Sequence, residues 1–113
     1  MNKQNTDEKK AGPQLTSKQK KFLKGLGHNL SPVVSVGKEG LGEKIITATI
    51  LELGRHELIK VKVGKSSPVS RQETATTLSI GSESSLVQII GKTILLYKKN
   101  PKLDKEKQLR LPA

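Results

Sequence analysis

The 113-residue sequence contains no cysteine. A disulfide framework, a thiol nucleophile and a cysteine-ligated zinc site are therefore excluded. No apolar run approaches the roughly 20 residues that a membrane-spanning helix needs. The residues that follow Met1 up to Lys10 are all polar, which predicts that no secretory signal is present. These absences together predict a cytoplasmic protein, and the length fits a single domain.

Aromatic residues are almost as scarce, since only Phe22 and Tyr97 are present. Modules that hold single strands by stacking bases on rings need several aromatic side chains, so base stacking is a poor candidate for the main source of binding energy. Of the 21 cationic residues only three are arginine: Arg55, Arg71 and Arg110. Lysine acts as a point charge, whereas arginine supplies bidentate base recognition. The composition therefore favours contacts with a phosphate backbone over sequence readout.

Groups that could perform catalysis are few. His28 and His56 are the only histidines, and the two aspartates lie in the predicted tails, at Asp7 and Asp104. A Ser-His-Asp triad needs an aspartate held rigidly behind a histidine, which neither tail offers. Glutamates 52 and 57 could flank His56, but such neighbours are common on surfaces. Because metal-ligand spacings and a Walker-type loop are also missing, the sequence predicts no catalytic residue, metal or cofactor.

The positive charge is concentrated at the two ends of the chain. The net charge is +11, of which residues 1–24 and residues 91–113 each contribute +5 and the middle only +1. Such an imbalance indicates a polyanionic partner, and it predicts a monomer because like charges repel. We expect a disordered tail over 1–14, one domain over 15–98 and a basic tail over 99–113. Three leucines could dock that second tail weakly: Leu103, Leu109 and Leu111.

The first predicted helix covers Ser17–Leu26. Thr16 and Gln19 have the spacing of a capping box, in which the two side chains satisfy free backbone amides at a helix start. Four lysines crowd its polar face: Lys18, Lys20, Lys21 and Lys24. This face is either solvated or directed at phosphates, and periodicity alone favours neither alternative.

The remaining patterns predict an α/β fold. Strands are expected at 32–36, 57–63, 86–90 and 93–97, and further helices at 41–53 and from Ser70, which opens a second capping box, to near Gly81. Gly91 and Lys92 fit a type II′ hairpin turn. The order α-β-α-β-α-β-β predicts a small, mixed, four-stranded sheet covered by about three helices.

The turn Gly37-Lys38-Glu39-Gly40 is a candidate binding element. Glycine lets a backbone approach a phosphate closely, and the helix expected next would present free amides and the positive end of its dipole. Lys38 would add a charge at the same point. The alternative is that the two glycines serve only the geometry of a strand-to-helix turn.

Four segments in this order resemble one family: 15–24, 32–41, 57–63 and 86–98. The chain resembles a CRM domain (chloroplast RNA splicing and ribosome maturation) in its stand-alone bacterial YhbY-type form. The resemblance implies a fold like that of the C-terminal domain of translation initiation factor three, and it implies RNA binding. Bacterial members associate with precursors of the large ribosomal subunit, and plant relatives serve in group II intron splicing. The family's G-x-x-G loop, compared with that of KH domains, falls on Gly37 to Gly40.

The resemblance places the family's basic surface on the four lysines of the first helix, with Lys38 and Lys44. Glu39 departs from the family pattern, because a carboxylate beside a phosphate is repulsive. Either Glu39 points away, toward the amides of the next helix, or the loop binds more weakly.

These observations favour a non-catalytic protein that contacts rRNA phosphates during assembly of the large ribosomal subunit. We expect contacts from the first helix, the loop and the strand end at Lys98 and Lys99. One alternative is an adaptor that binds an acidic protein partner. Another is a general binder of structured RNA that is unrelated to ribosomes. An enzyme acting on rRNA is disfavoured by the missing carboxylate, metal and cofactor motifs.

Overall fold

The computed structural model describes residues 10–113, so most of the tail predicted for 1–14 lies outside the described residues. Three helices and four strands follow in the predicted order. The helices are α1 (Ser17–Gly27), α2 (Glu43–His56) and α3 (Arg71–Ser82). The strands are β1 (Val34–Val36), β2 (Leu58–Val63), β3 (Ser85–Ile90) and β4 (Thr93–Tyr97). Within residues 10–113 no helix is both long enough and apolar enough to span a membrane.

Local sequence signals correctly predicted where most of the helices begin. The capping box of α1 is complete, because Thr16 Oγ1 accepts from the Gln19 amide and Gln19 Oε1 accepts from the Thr16 amide. At α3 only one half of the capping box forms: Ser70 Oγ accepts from the Glu73 amide at 3.1 Å, and the Glu73 carboxylate makes no return bond to the Ser70 amide. Helix α2 starts at Glu43, two residues later than predicted, since Gly42 is its N-cap.

The sheet is mixed, as predicted, with strand order β1-β2-β4-β3. β1 and β2 are parallel, and β4 is antiparallel to both of its neighbours. Gly91 begins the β3–β4 turn with φ 55°, which is the sign that a type II′ turn requires at that position. Strand β4, the last in sequence, therefore lies at the centre of the sheet.

The helices divide between the two faces of the sheet. Helices α2 and α3 cover the larger core through residues such as Leu53 and Leu78, which pack on Ile59, Val61 and Ile94. Helix α1 covers the other face through Leu23, which packs with a smaller cluster: Leu58, Val87, Leu95 and Tyr97. A bulge in β3 between Leu86 and Gln88 lets Leu86 and Ile89 both face the larger core.

Residues 99–113, here called the C-terminal strap, pack on the α1 side of the sheet. Leu109 and Leu111 join the smaller cluster, whereas Leu103 is half-buried outside it. At the other terminus the Gly12 amide donates to the Ser84 carbonyl at 2.7 Å, and Leu15 also packs on the smaller cluster. Both chain ends therefore complete the face that α1 covers only in part.

Candidate nucleic-acid interface

The Gly37–Gly40 loop connects the end of β1 to the start of α2. The Gly40 amide donates to the Gly37 carbonyl at 3.0 Å and closes the turn. The loop and the first turn of α2 border an open surface depression of about 710 Å³. Gly42 places no side chain on the first amides of α2, so the start of this helix has no side-chain cap. An anion in the depression would meet free backbone donors at the positive end of a helix dipole.

The two glycines of the loop have different structural requirements. Gly40 has φ 71°, and a Cβ there would lie 3.2 Å from Pro68 Cγ. Glycine is thus required by the fold at this position. Gly37 has an unremarkable φ, and a Cβ would meet no atom within 4 Å. The fold would accept a side chain at position 37. Glycine at this position therefore leaves the loop backbone accessible to a ligand.

Side-chain charges within the depression cancel. Lys38 and Lys44 are exposed at its border, but so are Glu39 and Glu43. Glu39 makes no hydrogen bond or ion pair with the residues that the structure describes, so its carboxylate does not cap α2. Glu43 lies in the first turn of α2, where a carboxylate complements the helix dipole. Net positive potential at the loop must come from neighbouring elements.

Helix α1 supplies a row of unpaired cations on the other side of the sheet. Lys18, Lys21 and Lys24 are exposed, and Lys20 is half-buried. The helix lies close to the sheet because Gly27 has no side chain: a Cβ there would come within 2.5 Å of Leu95 Cδ1. Throughout residues 10–113, ion pairs form only around Glu52, so no carboxylate neutralises the α1 lysines.

Two lysines of β2, absent from the predicted site, connect α1 to the loop. Lys24 and Lys60 border the same depression of about 360 Å³, together with His28. Lys62 is exposed two residues further along β2 and is the register partner of Ser35, which borders the loop depression. The structure therefore joins α1, β2 and the loop into one surface. We call it the basic face; its cations are Lys18, Lys20, Lys21, Lys24, Lys38, Lys44, Lys60 and Lys62.

The sequence did carry a signal for the two β2 lysines. They alternate with Ile59, Val61 and Val63, so they must point away from the α2–α3 core. Whether a second helix covers them cannot be judged from alternation. The structure leaves Lys62 exposed and Lys60 half-buried, because α1 ends beside them rather than over them.

Lys98 and Lys99 lie at the opposite end of the sheet from the loop. β4 ends where Tyr97 pairs with Leu58, whereas the loop follows Val36, which pairs with Val63. These two ends of β2 are about 17 Å apart. Lys98 Nζ donates to the Ser82 carbonyl at 3.1 Å and so caps the end of α3. Only Lys99 is exposed, and it lies near Leu15 and Gln19 at the start of α1.

Among the groups considered for catalysis, the structure brings Glu52 and His56 together within residues 10–113. Glu52 Oε2 accepts from Arg55 at 3.0 Å, and Glu52 Oε1 lies 3.4 Å from His56 Nε2, on an exposed helix end. Asp7 lies outside the described residues, and Asp104 is exposed in the strap. No group of three or more potential metal-ligating side chains occurs within residues 10–113.

Glu57, which the sequence placed at the start of a strand and as a possible neighbour of His56, is a buried carboxylate. It is fully buried, with φ 62° at the C-terminal end of α2. Tyr97 lies nearby, and burial raises the pKa of its hydroxyl above the ordinary value, with a further rise from the Glu57 charge. A buried acid of this kind leaves no periodic signal, because its partners come from a distant segment.

Comparison with known proteins decides the family. A sequence model of the CRS1 / YhbY (CRM) domain matches residues 15–98. The chain belongs to the CRM family. The β1–α2 turn, Gly37–Gly40, lies within the matched residues.

Several relatives align with 80% or more of this CRM chain. It is 42% identical to the probable RNA-binding protein YqeI of Bacillus subtilis over 98 residues, which span 87% of this chain and 99% of that one. It is 44% identical to the probable RNA-binding protein PA4753 of Pseudomonas aeruginosa, over 80% and 88% of the two chains. The solution structure of SAV1595 from Staphylococcus aureus has a TM-score of 0.71 and 41% identity, covering 87% of this chain and 99% of that one. The predicted family and its α/β fold are confirmed.

Proposed function

We propose that this CRM protein is a non-catalytic RNA-binding protein that contacts rRNA phosphates during assembly of the large ribosomal subunit. The observation that carries the proposal is the basic face, which joins α1, β2 and the G-x-x-G loop without a neutralising carboxylate on α1 or β2. The names of relatives as probable RNA-binding proteins support RNA as the polyanion. Assembly of ribosomal subunits would place the protein in the cytoplasm.

The basic face favours contact with folded RNA through its backbone. Its cations are all lysines, which contact phosphates as point charges and do not discriminate bases as arginine forks do. The loop adds backbone amides at the start of α2, and these also recognise phosphate oxygens. Phe22 is the only aromatic residue on α1, and a single ring does not make the platform of several rings on which successive bases stack.

Salt-dependent binding tests the proposal directly. The probe is deproteinised large-subunit rRNA, and the variant is K20A/K24A/K38A. Affinity should fall, and the slope of log K against log salt should become less steep by about 2, since each lost phosphate contact removes roughly 0.7–0.9. The matched control K10A/K65A/K92A removes the same formal charge from exposed lysines outside the basic face and should change the slope less. Equal slopes for the two variants would contradict the assignment of this surface.

Sedimentation tests the ribosomal part of the proposal. In a lysate fractionated on a sucrose gradient, the tagged protein should travel with large-subunit precursors at low salt and leave them at high salt. If it stays at the top of the gradient at both salt concentrations, the ribosomal assignment fails. A complex that survives nuclease treatment would instead indicate an acidic protein partner.

A further inference from the structure

One buried carboxylate accepts hydrogen bonds from two positions of the C-terminal strap. Glu57 Oε2 accepts from the Asn100 amide at 2.6 Å, and Glu57 Oε1 accepts from the Leu109 amide at 2.6 Å. The Glu57 carbonyl also accepts from the Lys98 amide at 2.8 Å. A single residue therefore fixes both ends of the segment 100–109, which becomes a closed loop.

The backbone at Glu57 indicates that this side chain is specifically needed. Its φ of 62° lies in the left-handed region, which glycine adopts at helix ends without strain. A glycine at position 57 would relieve the backbone but would remove both carboxylate bonds to the strap. The strained conformation therefore occurs at the residue whose carboxylate accepts from two strap amides.

Further contacts fix the two ends of the strap. Asn100 Nδ2 donates to the Gly54 carbonyl at 2.8 Å, at the end of α2. Gln19 Nε2 of α1 donates to the Pro112 carbonyl at 3.1 Å, and Leu109 and Leu111 pack on the smaller core cluster. The strap is thus an ordered part of the α1 side of the molecule.

The ordered strap exposes more positive than negative charge. Five cations and two carboxylates lie between positions 99 and 110. All five cations are exposed: Lys99, Lys102, Lys105, Lys107 and Arg110. Neither Asp104 nor Glu106 forms an ion pair with any residue that the structure describes. The strap therefore carries a net charge of +3 (5 − 2), which a polyanion would neutralise.

We propose that the C-terminal strap is a second RNA-backbone-binding surface, held in shape by Glu57 and contiguous with the basic face where Lys99 meets the start of α1. The proposal rests on the RNA-binding function proposed above. It extends that function to a segment beyond residues 15–98, the part matched by the family.

The surface of the strap fits RNA phosphates better than an acidic protein. Among the exposed large apolar side chains of residues 10–113, none lies in the strap. Protein interfaces draw most of their binding energy from apolar and aromatic anchors in their centre, which this surface lacks. Phosphate contacts need only accessible cations.

Variants that change charge without touching the Glu57 contacts test the proposal. With deproteinised large-subunit rRNA as the probe, K102A/K105A/K107A should weaken binding by about threefold to tenfold and make the salt slope less steep by about 2. Glu106→Gln, which removes one carboxylate from the same loop, should shift affinity in the opposite direction. Unchanged affinity and slope in both variants would overturn the proposal.

The anchor is tested by Glu57→Gln, because a carboxamide can accept only one of the two strap amides well. Trypsin should then cleave the wild-type strap slowly and the variant strap rapidly at its lysines, before the rest of the domain is cut. Equal cleavage rates in a folded variant would contradict the anchoring role. The charge variants remain informative if Glu57→Gln does not fold.

Two outcomes separate this proposal from the proposed function. If K102A/K105A/K107A binds rRNA like the wild type while K20A/K24A/K38A does not, the strap assignment fails and the RNA-binding function stands. If the wild type binds no rRNA, both fail. Wild-type rRNA binding by the strap variant, combined with lost binding to polyglutamate, would also overturn the proposal and assign the strap to acidic proteins.

Discussion

At the scale of single residues, the two loop glycines separate the requirements of folding from those of binding. Gly40→Ala should lower the free energy of unfolding by about 1–2 kcal/mol, because alanine is strained at φ 71° and its methyl group would approach Pro68. Gly37→Ala should leave stability unchanged, since nothing lies within 4 Å of the added Cβ. Urea unfolding measures both effects.

The same pair should show the opposite pattern in binding. A methyl group at position 37 would keep a phosphate away from the loop backbone, so Gly37→Ala should weaken rRNA binding by about threefold or more. Wild-type affinity in this variant would show that RNA does not approach the loop backbone at Gly37.

Glu39 should weaken the loop rather than support it. Its carboxylate is exposed, borders the loop depression and has no partner in the described part of the chain. Glu39→Gln should therefore strengthen rRNA binding by about twofold to fivefold at low salt, with a smaller gain at high salt. Glu73→Gln removes the same charge from the start of α3 and serves as the control. Equal gains in the two variants would point to net charge alone.

Tyr97 gives the molecule a specific response to high pH. Its folded-state pKa lies above the ordinary value near 10 because of burial first and Glu57 second. The contribution of this group to stability is complete below pH 10 and is lost as the pH rises through the folded-state pKa, since the unfolded chain releases the proton first. Urea unfolding measured on both sides of pH 10 tests this. Between the two pH values, the free energy of unfolding should fall less in Tyr97→Phe than in the wild type.

Absorbance can follow the tyrosine directly, since the chain has one tyrosine and no tryptophan. Glu57→Gln should lower the pKa of Tyr97 only in part, because burial is the larger cause. A phenolate signal that appears at the ordinary tyrosine pKa in the wild type would contradict the buried placement.

At the scale of elements, a substitution at the uncapped start of α2 should change stability and rRNA affinity in opposite directions. Gly42→Ser would supply a hydroxyl to the first amides of the helix and should raise the free energy of unfolding by about 0.3 kcal/mol. If those amides bind phosphate, the same change should weaken rRNA binding severalfold. Gly54→Ser introduces the same residue near the other end of α2 and should leave rRNA affinity unchanged. Undiminished binding by Gly42→Ser would exclude these amides from the interface.

Element positions were largely predictable because each element carries a local signal. β4 was predicted at its observed bounds, since a two-residue glycine turn and a continuous apolar run define it. β1 was predicted two residues too long at its start, because Pro32 and Val33 have strand-like composition although only Val34–Val36 form strand. Periodicity indicates which face of the sheet a residue occupies, but the residue at which a strand ends depends on its pairing with the adjacent strand.

At the scale of the whole molecule, what could not be predicted depends on contacts between distant segments. The order of strands, with β4 between β2 and β3, follows from pairing and not from any local pattern. For the same reason the prediction for the candidate site included Lys98, whose ammonium caps α3, and omitted Lys60 and Lys62, which the end of α1 leaves accessible. The sequence predicted neither the burial of Glu57 nor the packing of the strap, because each depends on the hydrogen bonds between them.

The central position of the last strand has a consequence for how the protein is made. Synthesis is vectorial, so β1, β2 and β3 all leave the ribosome before β4, which must insert between two of them. The carboxylate of Glu57 then lacks its second strap donor until Leu109 has also emerged. We therefore expect a nascent chain that ends before Leu109 to lack the native strap contacts, and trypsin should cut a chain truncated before Leu109 faster than the full chain.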